Sequence, residues 1–469
     1  MFSLRPYQQQ AVADVRQAFA QGYKAPLLVL PTGGGKTIIF AHIAANVASK
    51  GKRALILVHR VELLRQTADK LRDSGAGIGL INPNYTPNLW APVQVASVQT
   101  LVRRTNWNIP GFDLIVTDEC HHVVSSTYRA ILARFPNAYN LGVTATPVRG
   151  DGLGLGQNVG GVYDLLLQGP QVHELIQMEY LVRPVIYAPK QKLDLSGVHT
   201  VAGDWNKKEV EYRVDKPQII GDAVDHYRRI CSGAPAVAFC VSVRHAHHVC
   251  EQFKAAGYRA AVADGSMADE DRVRILGGLA TGAVQVLCSC DLISEGTDIP
   301  AITAAILLRP TQSMGLYLQQ VGRALRPSPG KKNAIILDHV GNVITHGLPD
   351  EPREWTLDGE QKKKRQAKEK EEKENVRQCP ECYCVHHLAP QCPECGFEYP
   401  NDGRGDPEQT DGVLTEMTEA HRQLLRKSKN QEVARARSMD DLLRIEKERG
   451  YKPGWAKHVH ESRQRKAGS

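Results

Sequence analysis

An α/β fold is expected, with two tandem lobes built on parallel sheets, followed by a small cysteine-rich ribbon and a basic helical tail. Three observations predict it. Short apolar runs alternate with helical patterns over the first two-thirds of the chain, the rhythm breaks and restarts once, and the remainder is polar apart from a cysteine cluster. Such alternation is the pattern of open parallel sheets, whose ligands lie at the carboxyl ends of the strands.

The first strands are expected at APLLVL (25–30), RALILV (53–58), VQVAS (93–97), FDLIVT (112–117) and NLGVTA around Val143, with IIFAHIAANVASK as a helix between the first two. The second set is AVAFCVS (236–242), YRAAVA (258–263), VQVLCS (284–289), ITAAILL (302–308) and NAIILD (333–338). Each is a short apolar run bounded by polar or turn residues. GDGLGLGQNVGG (150–161) reads as a loop beside the cleft, and the joint between lobes falls near residue 190. The expected organisation is lobe one over 1–190, lobe two over 191–350, a charged linker over 351–375, the ribbon over 376–400 and the tail over 401–469.

With 469 residues and 42% hydrophobic content, the chain has enough apolar material for several cores. No apolar run approaches a membrane span, and MFSLRPYQQQ lacks the charge-then-apolar pattern of a secretory signal, so a cytoplasmic protein without a membrane partner is expected. The net charge of +8 is concentrated: residues 421–469 hold 14 Lys+Arg against 6 Asp+Glu, leaving residues 1–420 neutral. A basic tail on a neutral body suits a polyanion, or is a solvated terminus.

PTGGGKT (31–37) follows one expected strand and precedes a helix, the setting of a phosphate loop. There Thr32, Gly33, Gly34 and Gly35 would turn backbone N–H groups toward ATP, Lys36 would reach the β- and γ-phosphates, and Thr37 would ligate Mg²⁺. The strict pattern starts with glycine, where this chain has Leu30, and the plain alternative is a glycine-rich turn. DECHH closes the strand FDLIVT, placing Asp118 to hold Mg²⁺ through water and Glu119 to polarise an attacking water. Cys120, His121 and His122 are consecutive and cannot wrap one ion. Far downstream, QQVGRALR sets Gln319, Arg323 and Arg326 at a spacing suited to a second lobe that presents arginines to the γ-phosphate.

These motifs together resemble a superfamily 2 helicase of the DEAD/DEAH kind with a DECH box, most similar to RadD-type bacterial helicases and the motor subunits of type III restriction enzymes. LRPYQQQAV resembles the adenine-recognition element, with Arg5 and Gln8 in the matching places; LVHRVELLRQ (57–66) and ASVQTL (96–101) resemble the strand-contacting motifs; VTATP (143–147) resembles the coupling motif, with Thr144 and Thr146 as its active residues. FCVSVRHA (239–246), DGSM with Arg272, and SEGTDIP (294–300) resemble second-lobe motifs. The resemblance spans roughly residues 1–345 and implies two RecA-like P-loop domains, with Gly296 and Asp298 lining the nucleotide cleft and Arg323 and Arg326 as finger arginines.

The pattern CPECYCVHHLAPQCPECG puts Cys379, Cys382, Cys392 and Cys395 at the spacing of one tetrahedral Zn²⁺ site. Cys384, His386 and His387 lie between the pairs as substitute ligands, and free thiols on a loop are the bland alternative. Four thiolates leave no open position, so a structural zinc ribbon is expected rather than a catalytic metal.

The expected activity is ATP-dependent movement along, or remodelling of, DNA (single-stranded or forked), in replication, recombination or repair and with a protein partner there. RNA as substrate, a motor subunit of a restriction-type complex, and an ATP-gated clamp that does not unwind are the alternatives. The ribbon and tail are expected to add sequence-independent, salt-sensitive affinity. In the tail, Tyr451 and Trp455 sit among Arg449, Lys452 and Lys457, which suits stacking on bases; Leu442, Leu443 and Ile445 suit instead a helical docking cap.

Overall fold

The computed structural model describes residues 4–59, 61–73, 75–189, 193–201, 203–265, 267–290, 302–359 and 376–399, and residues 436, 438–448, 456, 457 and 459 of the tail. Gly296 and Asp298, the 361–375 charge run, Tyr451 and Trp455 lie outside them. Residues 1–399 form one compact unit and 400–469 a second.

The first sheet uses β1 (Pro26–Val29), β2 (Ala54–Val58), β3 (Ile78–Ile81), β4 (Val93–Ser97), β5 (Leu114–Asp118), β6 (Tyr139–Thr144) and β7 (Leu165–Gln168), in the order β3-β4-β2-β5-β6-β1-β7. Its pairings are all parallel. Helices α1 (Pro6–Ala20), α2 (Lys36–Ser49), α3 (Val61–Asp73), α4 (Val98–Arg103), α5 (Ser126–Ala133) and α6 (Val172–Gln177) belong to this lobe. Leu55, Ile56 and Leu57 are fully buried, as expected for a strand covered on both faces.

The second sheet takes β8 (Arg183–Tyr187), β11 (Ala236–Phe239), β12 (Ala260–Ala263), β13 (Val286–Ser289), β14 (Ala304–Leu307) and β15 (Asn333–Asp338); β9 (Thr200–Val201) and β10 (Asp204–Trp205) form a separate two-stranded ladder. Helices α7 (Lys207–Val214), α8 (Pro217–Cys231), α9 (Val243–Ala255), α10 (Asp269–Thr281), α11 (Met314–Ala324) and α12 (Asn342–His346) complete it. Although β8 precedes residue 190, it pairs with β15 in register Ile335↔Val185, so the crossover between sheets lies before residue 183. The apolar PVIY run is claimed by the second sheet because its neighbour there, β15, supplies a complete parallel ladder.

The sheet continues where sequence pattern is silent. β16 (Val376–Gln378) and β17 (Cys384–His387) form a hairpin from the cysteine-rich segment, and β17 pairs antiparallel with β8, giving the order β12-β13-β11-β14-β15-β8-β17-β16. The ribbon is thus the edge of the second lobe and not a separate bead.

Between β15 and the ribbon, the chain returns to the first lobe. Trp355 and Leu357 pack against the core on one face of the first sheet, and the N–H groups of Gly154 and Gly156 donate to the carbonyls of Asp358 (3.1 Å) and Leu357 (2.8 Å). A Cβ at Gly154 would lie 1.9 Å from the Leu357 carbonyl oxygen, which is why this seat needs glycine. The 150–161 segment is therefore the seat of an interlobe strap. Gly154→Val is expected to lift the strap and cost about 1–3 kcal/mol, as overpacking does. The check is a lower melting temperature with earlier protease cleavage between residues 347 and 359.

In the tail, α13 (Met439–Glu448) buries Leu442 and Ile445 with Ala436 and Ala456, while Leu443 stays exposed. The tail has a small apolar core of its own.

Candidate nucleotide cleft and cysteine cluster

The phosphate loop leaves β1 and enters α2 at Lys36, after Gly33 and Gly35 with φ of 87° and 78°. No side chain caps α2, so its first N–H groups are available to an anion. Leu30 explains its own departure from the motif. Its side chain is fully buried in the core, while its carbonyl accepts a hydrogen bond from Lys36 Nζ (3.4 Å).

A cleft of about 760 Å³ gathers Arg5, Gln8, Thr32, Gly33, Gly35, Lys36, Thr37, Asp118 and Glu119 of the first lobe with Arg323 and Arg326 of the second. Lys36 Nζ stands 4.0 Å from Glu119 Oε1. Gly34 is buried beside this loop, its carbonyl accepting from the Tyr7 hydroxyl (2.9 Å). Gln319 reaches across from α11, its Nε2 lying 3.5 Å from Glu119 Oε2.

α11 can press this closely because Gly322 faces Thr32, where a Cβ would come within 2.6 Å of the threonine Cβ. The spacing Gln319–Gly322–Arg323–Arg326 thus has a steric meaning: the glycine lets the helix meet the phosphate loop while its neighbours enter the cleft. A second contact joins α11 to the coupling motif, since the Cβ position of Gly315 lies 2.7 Å from Thr146 Oγ1. Thr144 Oγ1 in turn donates to the Thr146 carbonyl (3.2 Å) and lies 3.4 Å from His121 Nδ1. His121 Nδ1 is 3.5 Å from Glu119 Oε2.

Glu119 has φ 46° and ψ 52°, a left-handed conformation uncommon for a residue with a side chain. Its N–H donates to Asp118 Oδ1 (3.0 Å), so the two carboxylates are set by one tight turn at the end of β5. Such local strain is a recurrent mark of functional positions.

Sequence reasoning did not single out four contributors. Tyr180 lines the cleft, with the Arg5 guanidinium 4.2 Å from its ring centroid and Tyr7 packed on it at 5.2 Å. Its signal is only one aromatic residue in a helix-to-strand connection. Gln66 and Lys70 of α3 also line the cleft, and LLRQ hinted at the first. Lys331 donates to the carbonyls of Ile302 (2.6 Å), Arg326 (2.7 Å) and Ala324, tying off the end of α11. Burial, and then the nearby Arg326 charge, lower its pKa to about 8. A lysine beside GKK in a turn gives no such hint.

At the second centre, the sulfurs of Cys379, Cys382, Cys392 and Cys395 all lie within 4.8 Å of one another, with Cys379–Cys395 and Cys382–Cys392 both at 3.6 Å. Disulfide sulfurs sit at about 2.05 Å. Tetrahedral thiolates around Zn²⁺, at about 2.3 Å each, stand roughly 3.8 Å apart, so this donor set fits the ion. Cys384 is buried in β17, and His386 Nε2 pairs with the Tyr399 hydroxyl (2.8 Å), so these residues are committed elsewhere. Of the other cysteines, Cys120, Cys231, Cys240, Cys250 and Cys288 are buried thiols. No helix among the described residues is long and apolar enough to cross a membrane.

Residues 1–149 match the family described as type III restriction enzyme, res subunit, and residues 216–328 match the helicase conserved C-terminal domain. The chain belongs to the superfamily 2 helicases. It is 32% identical over 375 residues to a 51.5 kDa protein of a Lactococcus phage, covering 79% of this chain and 77% of that one. It is 30% identical over 365 residues to a Schizosaccharomyces pombe protein named as a mitochondrial ATP-dependent helicase, irc3, covering 74% of this chain but 59% of the relative. Among solved structures, a fragment of an HsdR-type subunit of a type I restriction enzyme from Vibrio vulnificus aligns at TM-score 0.58 and 22% identity, over 75% of this chain and 67% of that one. The type ISP restriction-modification enzyme LlaBIII, bound to DNA, aligns at 0.53 and 17% identity, over 78% and 29%. These likenesses show the two RecA-like domains of a helicase motor, and the family makes the chain a nucleic-acid-dependent ATPase.

Proposed function

We propose that this helicase is an ATP-driven DNA translocase whose reaction centre is completed only when the two lobes meet. The observation that carries the reading is the single cleft shared by Lys36, Asp118 and Glu119 of one lobe and Arg323 and Arg326 of the other. ATP supplies the phosphoryl bond whose hydrolysis drives movement. Around it, the loop N–H groups and Lys36 hold the phosphates, Thr37 and Asp118 hold Mg²⁺, and Arg5 and Gln8, with Tyr180 beside them, recognise the base. Glu119 orients and deprotonates the attacking water, while Arg323 and Arg326 balance charge at the γ-phosphate. Gln319 reports the state of Glu119 to α11, and His121, Thr144 and Thr146 link the same carboxylate to the lobe boundary. Gly296 and Asp298 are assigned to the cleft by their motif alone.

DNA is favoured over RNA by the restriction-enzyme family match. The strand is placed across the carboxyl ends of the strands, held through its phosphates. The basic tail supplies the salt-sensitive part of affinity. The ribbon does not share that role: residues 376–399 carry one arginine against three glutamates, and their hairpin is part of a sheet. We assign Zn²⁺ to its four cysteines as a structural ion. Work in replication, recombination or repair, a partner protein there, and a cytoplasmic site complete the proposal; buried free thiols suit a reducing compartment.

Glu119→Gln tests the centre. ATP binding is expected to persist while turnover falls by about 10²-fold or more, the scale on which general bases act. Side-by-side ATP turnover with single-stranded DNA, duplex DNA, forked DNA and RNA tests the substrate. Near-normal hydrolysis by the variant, or acceleration by RNA alone, would count against the assignment.

A further inference from the structure

We propose that His122 and His59 form a mechanical link through which a nucleic-acid strand at the edge of the first lobe controls Glu119. The inference rests on the nucleic-acid-dependent ATPase reading; His59 and Gln99 lie in the two runs that resemble strand-contacting motifs, and His122 has no role in that reading.

The carboxyl ends of β4, β2, β5 and β6 lie side by side in the sheet. At the last residue of β4, Ser97 Oγ donates to Gln99 Oε1 (3.2 Å), and Gln99 Nε2 meets His59 Nδ1 at 3.2 Å just beyond β2. The His59 ring stacks on His122 with centroids 5.0 Å apart and planes 25° from parallel. His122 in turn lies against His121 at 4.1 Å, and His121 contacts both Glu119 and Thr144. One continuous series of contacts therefore runs from Gln99 to the carboxylate. Gln99 is exposed to solvent and Glu119 opens into the nucleotide cleft, so the series joins the surface of the lobe to the cleft.

His59, His122 and His121 meet by ring contact, which supports packing as the means of coupling. Packed side chains transmit displacement because little free volume separates them. The turn that holds His121 and His122 begins at Glu119 in its left-handed conformation, so a push on His122 acts on a backbone with few alternative positions. A strand that shifts the ends of β2 and β4 would thus change the aim of Glu119.

The test compares His122→Ala, His122→Phe and the unaltered full chain. ATP turnover is measured without nucleic acid, with oligo(dT) and with oligo(U), alongside oligonucleotide affinity and thermal melting. His122→Ala is expected to retain unstimulated turnover, KM for ATP and oligonucleotide binding. Its stimulation should fall on the order of 5-fold or more, the low end of typical coupling between separate sites. His122→Phe fills the gap with a ring and is expected to restore stimulation. Full stimulation in His122→Ala, or loss in His122→Phe with unchanged melting, would overturn the link. Loss of unstimulated turnover in parallel would also overturn it, by making His122 a support of the centre itself. A full chain that neither oligonucleotide accelerates would instead overturn the nucleic-acid reading and, with it, the role of the stack.

Discussion

Arg323→Ala is expected to lower ATP turnover by about 10³- to 10⁵-fold, the range of an arginine finger. The expectation follows from position. Arg323 is buried on α11, and the helix is held against the phosphate loop by the Gly322–Thr32 contact. The cleft thus receives a fixed cation from the lobe that does not carry Lys36. A guanidinium held there gains little with the diphosphate and most with the charge that develops on the transferring group. Nucleotide affinity should therefore change far less than turnover. Arg323→Lys is expected to recover little, because one ammonium cannot reproduce a planar fork of donors. Single-turnover hydrolysis and nucleotide binding, measured on the same preparations, check both halves. A loss below about tenfold in turnover would make Arg323 a contact of another kind.

How much of this was legible in the sequence depends on whether a feature was local. The ten expected strands all occur, because each is a short apolar run; most are buried on both faces, while β12, at the sheet edge, is only partly buried. The phosphate loop and DECH box are likewise local, each a short run placed at the end of its strand. The misses are long-range. IGLI and LLLQ, which become β3 and β7, are short edge strands whose identity depends on pairing with β4 and β1. PVIY lies before the expected joint yet belongs to the second sheet, and no residue within it announces which neighbour it will meet. The glycines at 154 and 156 read as loop residues until the strap crosses them. Tyr180 lines the cleft and Lys331 holds the Arg326 carbonyl through contacts made by folding, so neither sits in a recognisable run. The cysteine spacing picked out four residues that the structure groups in space, but it said nothing of the sheet that their segment extends.

That last gap produces the second large effect. Cys382→Ser/Cys395→Ser is expected to release the bound metal and unfold residues 376–399, changing the second lobe as well. The segment has little core of its own: around the cysteines, Val185 and Tyr187 of β8 join Phe397 and Tyr399, while Val376 and Val385 pack against the main core of the motor. Small zinc-held modules derive about 10–16 kcal/mol from the ion, far more than so few apolar contacts provide. Without the ion, β17 has no anchored partner and β8 becomes an open edge, which exposes unpaired N–H and C=O groups and invites association between chains. Gln378 Nε2, which donates to the Ala188 carbonyl just beyond β8, would be lost as a tie at the same time. Elemental analysis should show zinc falling from one ion per chain to none. Proteolysis should begin within the ribbon, and the melting transition of the motor should move down even though every residue of the ATP cleft is intact. Metal loss with an unchanged melting transition would mean that sheet pairing alone holds the hairpin. Full zinc retention would move the site to Cys384 and the neighbouring histidines, against the 3.6 Å sulfur pairs seen here.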